Sequence, residues 1–181
     1  IRDVIAIKEE TGLPVIGLVK VQYPGYEGFI TPTMKEVDDL VAAGSDIVAL
    51  DCTLRKRGDG STVNEFIAQI REKYPDIILM ADISNYEEGI NAWKCGVDIV
   101  GTTMSGYTAY RSSVSDGPDY ELMERLSRDI NIPVIGEGRI HYPDQAVKAL
   151  QTGAWAIVVG GAITRPLEIA MRFQNAIKES R

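Results

Sequence analysis

A TIM (β/α)8 barrel is the α/β fold this sequence predicts, because short apolar strands alternate with amphipathic helical stretches and the entries into the strands repeat. Three segments share one pattern: Ala43-Gly44-Ser45-Asp46 leads into Ile47-Val48-Ala49-Leu50, Cys95-Gly96-Val97-Asp98 into Ile99-Val100-Gly101-Thr102, and Thr152-Gly153-Ala154-Trp155 into Ala156-Ile157-Val158-Val159. In each, the glycine supplies the left-handed cap that stops a helix, and the run after it reads as a strand buried on both faces. A second repeat, Leu13-Pro14-Val15-Ile16-Gly17 and Ile132-Pro133-Val134-Ile135-Gly136, uses a proline to end one helix and start a strand. Ile77-Ile78-Leu79-Met80-Ala81 is a sixth run of the same kind.

Between these strands the apolar spacing predicts helices near 2–11, 33–43, 62–73, 86–95, 118–129, 143–152 and 166–178. Thr33, Ser61, Asn85 and Asp116 stand where helix starts take capping residues, and Pro118, Pro143 and Pro166 suit first-turn positions. Strict alternation means a parallel sheet, since each return crossing needs a helix. With no long linker and no Gly/Ser-rich tract, residues 1–181 read as a single domain, and a doubly wound open sheet is the alternative fold. A closed barrel needs eight strands and about 250 residues. Only six runs are found, so the expectation is a barrel that lacks its first two strands in this chain and is N-terminally incomplete.

Composition narrows the function classes. A hydrophobic share of 45% with 25% charged residues is ordinary for a folded domain, and 19 basic against 26 acidic residues give −7, which argues against a nucleic-acid or anionic-membrane surface. No apolar run approaches the ~20 residues of a membrane span, and no charged-then-apolar leader precedes the first helix, so the cytoplasm is the expected location. Cys52 and Cys95 lack metal-ligand spacing and have one histidine, His141, for company; buried free thiols are expected, and a surface position for His141. No metal site is expected.

In barrels of this type the active site lies at the C-terminal strand ends. The polar residues that close the apolar runs are Lys20, Asp51, Asp82, Thr102-Thr103-Met104-Ser105-Gly106, Glu137 and Gly160-Gly161. Gly160-Gly161-Ala162-Ile163-Thr164-Arg165 reads as a phosphate anchor: glycines admit an oxygen ligand close to the backbone, helix-start amides favour an anion, and Arg165 adds a charged donor. Gly138 and Arg139, after the preceding strand, are its natural partners, although rim glycines also serve tight packing. Lys20 is a candidate base, Schiff-base former or phosphate ligand, and base duty would need burial. Glu137 is its acid/base partner, or a salt-bridge mate of Arg139 or Arg165. Arg55-Lys56-Arg57 is either a solvated loop or a lure for a phosphorylated substrate, and Tyr107 and Tyr110 are either sugar-stacking rings or rim packing.

Together, Leu13 to Lys20, Phe29 to Thr33, Met80 to Ser84, Gly101 to Thr108, Gly136 to Ile140 and Gly160 to Pro166 resemble the N-acetylmannosamine-6-phosphate 2-epimerase family over the whole chain. The resemblance implies a cofactor-free barrel enzyme of bacterial sialic acid catabolism, mostly dimeric, that interconverts N-acetylmannosamine 6-phosphate and N-acetylglucosamine 6-phosphate. It implies catalytic roles for Lys20 and Glu137, a sugar contact for Asp82 and a substrate-pocket role for Arg165, and Thr103 is a further candidate for substrate binding. Two departures stand out. The family's first two strands carry a Gln and an Arg that this sequence does not include, and Val21-Gln22 precede Tyr23 where the family usually has a basic and then an acidic residue.

The chemistry so implied is opening of the sugar to its aldehyde, removal of the second-carbon proton by Lys20, and proton return on the opposite face, with Lys20 serving both faces or Glu137 acting as second base. A metal-dependent pentulose-phosphate epimerase is a rival that wants several histidines where only His141 exists. Two further rivals are a thiazole synthase, which uses a barrel lysine as a Schiff base, and a non-catalytic sugar-phosphate sensor.

Overall fold

The computed structural model describes residues 1–111 and 117–180. Along the chain run α1 (Arg2–Thr11), β1 (Ile16–Gly17), α2 (Met34–Ala42), β2 (Ile47–Asp51), α3 (Val63–Lys73), β3 (Ile78–Asp82), α4 (Tyr86–Lys94), β4 (Ile99–Gly101), α5 (Tyr120–Asp129), β5 (Val134–Glu137), α6 (Pro143–Gln151), β6 (Ala156–Val158), α7 (Gly161–Thr164) and α8 (Pro166–Glu179). The six strands form one sheet in chain order, every neighbouring pair parallel. Lys20, three residues past β1, and Val158 at the end of β6 line one shared cavity, so the sheet curls as a barrel wall does. Among the described residues β1 and β6 are its unpaired edges.

The two-residue period of the strands divides the core. Val48, Leu50, Leu79, Ala81, Val100 and Val134 face the helices and pack with Leu40, Ile67, Ile70 and Leu126. Ala49, Met80 and Ile135 face the other way, into the curl, beside Ile47, Ile99, Ala156 and Val158. Burying the first set removes the apolar stripes of α2, α3, α4 and α5 from water and holds the sheet to its outer layer.

Helix ends follow the sequence signals with three corrections. Asn85 accepts from the Glu88 amide at 3.0 Å, and Pro143 and Pro166 open their helices as expected. For α3 the cap is Thr62, not Ser61: Thr62 and Glu65 bond reciprocally at 3.2 and 2.7 Å, while Ser61 turns to Asp59. Helix α5 begins at Tyr120 with Asp119 as cap, so Pro118 precedes it, and Asp116 lies outside the described residues.

The third correction concerns the first strand. It leaves the ladder after Gly17 because Ile30 and Thr31 take the place beside β2: the Asp51 amide donates to Ile30 O, and the Thr31 hydroxyl to Ala49 O at 2.7 Å. Val19 O in turn accepts from the Thr31 amide, and Lys20 pairs with Ile30 in an isolated antiparallel bridge. Lys20 therefore sits on a hairpin laid over the sheet rather than at a strand end. Gly17 is required where the ladder ends, because a Cβ there would strike the Ser45 side chain.

Candidate active site

The inward parity that carries Ala49, Met80 and Ile135 continues past the strand ends. Register aligns Asp51 with Asp82, Asp82 with Gly101, and Gly101 with Ile135. One step of two residues further, Thr103 and Glu137 fall on the same side. Gly101 is what lets them meet, since a Cβ there would crowd Met80 and approach Thr103 Oγ1 to 3.1 Å. A cavity of about 460 Å³ opens above, and Lys20, Thr103, Glu137, Gly138, Arg139, Gly160, Gly161 and Arg165 all line it. Of the strand-end candidates, Asp51, Asp82, Thr102, Ser105 and Gly106 are not in that lining, and Asp82 lies beneath it, 1% exposed.

Asp82 reaches the cavity through one hydroxyl. Thr103 Oγ1 lies 2.7 Å from Asp82 Oδ1 and 3.1 Å from Glu137 Oε2, and Asp82 Oδ2 is buried with no partner among the described residues. Burial, and then the charge of Glu137, push the Asp82 carboxyl up to about 8. Burial also raises Glu137, against the Thr103 hydrogen bond and the nearby Lys20 charge. The end of β5 is pinned to β4 by Thr102, whose hydroxyl donates to Glu137 O at 2.8 Å and accepts from its amide at 3.0 Å. Asp51, though level with Asp82, is consumed locally by Thr53 and Arg55.

Lys20 is exposed at the cavity wall. Burial, the condition for base duty in a lysine, falls on Asp82 and Glu137 instead. The carboxylate half of the site is thus the more buried, and the lysine half open.

At the far side the backbone is arranged for close approach. Gly138 and Arg139 both take left-handed conformations, φ 99° and 56°, a turn that glycine makes at no steric cost. The amides of Ile163 and Thr164 are used by Gly160 O at 3.0 and 3.2 Å, so those of Gly161 and Ala162 are the pair preceding the first bonded turn. Arg165 is paired with Glu168 at 2.8 Å. Glu137 makes no ion pair with Arg139 or Arg165 among those found in the described residues.

The basic run has a different role from a lure. Arg55 pairs with Asp51, and Arg57 is buried over the Phe66 ring, 4.0 Å from its centre, donating to Pro32 O. Cys52 is a buried free thiol, as expected, and Cys95 a half-buried one. Lining residues that sequence reasoning did not select for the site include Phe29, Ile30, His141 and Glu168. Of these Glu168 carried a signal, three residues after Arg165 on one helix face. His141 is half-buried at the cavity edge rather than on the surface. Among the described residues no group of three or more His, Cys, Asp or Glu could hold a metal ion, and no helix is long and apolar enough to cross a membrane.

The sequence model of the NanE family, described as "Putative N-acetylmannosamine-6-phosphate epimerase", matches residues 1–179. A relative from Caldanaerobacter subterraneus subsp. tengcongensis is 58% identical over 99% of this chain and 75% of its own length. One from Clostridium perfringens is 49% identical over 98% and 79%. Both are described as "Putative N-acetylmannosamine-6-phosphate 2-epimerase". The solved structure of the N-acetylmannosamine-6-phosphate 2-epimerase from Clostridium perfringens superposes with a TM-score of 0.89 at 49% identity, covering 96% of this chain and 75% of that one.

Proposed function

The chain belongs to the N-acetylmannosamine-6-phosphate epimerase family, and we propose that its cavity interconverts N-acetylmannosamine 6-phosphate and N-acetylglucosamine 6-phosphate by proton transfer at the second carbon. One observation carries this reading. A cation, a partly desolvated carboxylate and the glycine-rich turn with Arg165 line a single cavity, though they come from opposite edges of the sheet.

The phosphate sits against the Gly161 and Ala162 amides and the Gly138-Arg139 turn, with Arg165 turning from Glu168 to the dianion. That anchor fixes the other end of the sugar, so the opened aldehyde presents its second carbon between Lys20 and Glu137. Lys20, exposed at the cavity wall until the bound sugar covers it, takes the proton. Glu137 exchanges protons with the sugar oxygens, and no cofactor takes part in these steps.

The same reading includes assembly and location. The enzyme is a homodimer, supported by the apolar side chains that α8 exposes at Leu167, Met171, Phe173 and Ile177. It works in the cytoplasm in amino-sugar breakdown and binds no nucleic acid, in keeping with its net charge of −7.

The test is turnover in deuterium oxide, followed by proton NMR at the second carbon. Deuterium enters that position as the epimers interconvert; epimerisation with full retention of the original hydrogen overturns the proton-transfer scheme.

A further inference from the structure

A hydroxyl has one proton to give and accepts with its lone pairs. Thr103 Oγ1 lies within hydrogen-bond distance of two carboxyl groups, Asp82 Oδ1 at 2.7 Å and Glu137 Oε2 at 3.1 Å, and can donate to only one of them. The second contact is a hydrogen bond only if the other carboxyl carries a proton and donates back. Two ionised carboxylates around one half-buried hydroxyl would leave one of them facing an oxygen lone pair, with Asp82 out of reach of solvent.

We propose that Asp82, Thr103 and Glu137 form a relay holding one proton, with Thr103 as the switch that moves it between a store on Asp82 and the working carboxyl Glu137. This rests on the epimerase reading and extends it to Asp82, beneath the cavity lining, and to the Thr103 hydroxyl that joins it to Glu137. In the resting arrangement Asp82 carries the proton and donates to Thr103 Oγ1, and Thr103 donates to the Glu137 carboxylate. In the loaded arrangement the Thr103 proton has passed to Glu137 and the Asp82 proton to Thr103, which then donates back to Asp82. Two protons each move one hydrogen bond, and no water enters.

The relay balances the chemistry. When Lys20 removes the second-carbon proton it becomes an ammonium, and the oxygen of the former aldehyde gains negative charge. Glu137 in the loaded arrangement gives its proton to that oxygen, forming the neutral enediol. The two carboxylates then left face the new ammonium. Once the second carbon of the enediol has turned its opposite face to Lys20, the proton returns to it from Lys20, the enediol oxygen returns its own to Glu137, and the relay resets.

The surroundings favour storage on Asp82. It is 1% exposed against a half-buried Glu137, and its second oxygen has no partner among the described residues. The charged groups around it are Glu137, Asp51 and Lys20, and Asp51 is itself paired with Arg55. Burial and the Glu137 charge raise Asp82 to about 8, so the store is filled at neutral pH. The Met80 methyl and Gly101 complete the dry wall on the inner side.

The test compares wild type with Thr103→Val, which keeps the shape and loses the hydroxyl, and Thr103→Ser, which keeps the hydroxyl. Carboxyl carbon-13 NMR titration of the ligand-free protein reads the relay without any turnover. In wild type and Thr103→Ser, the Asp82 and Glu137 signals each move in two shared steps; in Thr103→Val each titrates once and separately. In assays, Thr103→Val loses about 10²-fold in kcat with KM changed less than about threefold and a shifted pH profile, and Thr103→Ser recovers most of the rate. Thr103→Val curves that superpose on wild type in titration and in pH profile overturn the relay. A wild type that shows the shared titration but no epimerisation leaves the relay standing and removes the epimerase reading.

Discussion

Strands β3 and β6 belong to one parallel sheet, yet they live in different surroundings. From Leu79 to Asp82 every residue of β3 is 2% exposed or less, whereas Ala156, Ile157 and Val158 of β6 are all half-exposed and Trp155 before them is 73% exposed. Beyond β6, Leu167 and Phe173 of α8 are 74% and 69% exposed. Asp82 stands at the end of a strand buried on both faces, and the glycine-rich turn follows an edge strand of the sheet. A raised carboxyl depends on the desolvation that such packing gives, whereas contacts through backbone amides need only a correctly shaped turn.

The sharpest way to break that comparison is at Glu137. Glu137→Gln keeps the hydrogen bond to Thr103 and removes the titrating proton, and kcat falls by about 10² to 10⁴ with the fold intact. A steady-state assay showing less than tenfold loss would place the proton chemistry elsewhere. Next in size is packing. Leu79→Ala, in the fully covered strand, costs about 2–5 kcal/mol by urea unfolding, at any protein concentration. Phe173→Ser costs less than about 0.5 kcal/mol in dilute protein and abolishes the rise of Tm with concentration that a dimer shows.

Arg165→Ala probes the open half directly. Losing one charge-assisted contact to phosphate raises KM about 10- to 100-fold while kcat stays within about threefold. Equal losses in both constants would mean that Arg165 acts on the reacting carbon. The smallest effect is on stability against pH. Asp82 binds its proton more tightly folded than unfolded, so its contribution is full below about 3.8 and is lost as pH rises through about 8. Tm therefore drops by about 5 °C between pH 6 and 9, and Asp82→Asn flattens that slope. An unaltered slope in the variant assigns the titration to another group.

Much of this was readable in the chain itself. Alternating β-branched runs and glycine caps are local signals, and they located β2 to β6, seven helices near their observed bounds, and the glycine-rich turn after β6. Parallel register then delivered the strand-end residues to one rim, which is why Lys20, Thr103, Glu137, Gly138, Arg139, Gly160, Gly161 and Arg165 share a cavity. What escaped depends on contacts distant in sequence. Nothing local to Leu18 or Val19 announces that Ile30 and Thr31 displace them from β2. Arg57 reads as surface charge until Phe66 is placed under it. Depth along the barrel axis is equally invisible: Asp82 and Glu137 both close apolar runs, and only the register, with a glycine at 101, makes one a buried partner and the other a wall residue.

The hairpin that carries Lys20 has a consequence for how such a catalyst can change. Most of the other lining residues sit at or just past the ends of parallel strands, and moving one there means shifting a register shared with two neighbours. Lys20 hangs from an antiparallel bridge to Ile30, and residues 21–29 between them include the left-handed Gly25 and a turn whose Tyr26 amide returns to Tyr23 O. Insertions or deletions within residues 22–28 change the reach of the arc while Val19, Lys20 and Val21 stay tied to Thr31, Ile30 and Phe29 and every strand keeps its partners. The arc is thus a natural point of adaptation, where a change in loop length reshapes the rim beside a fixed lysine on an unaltered sheet.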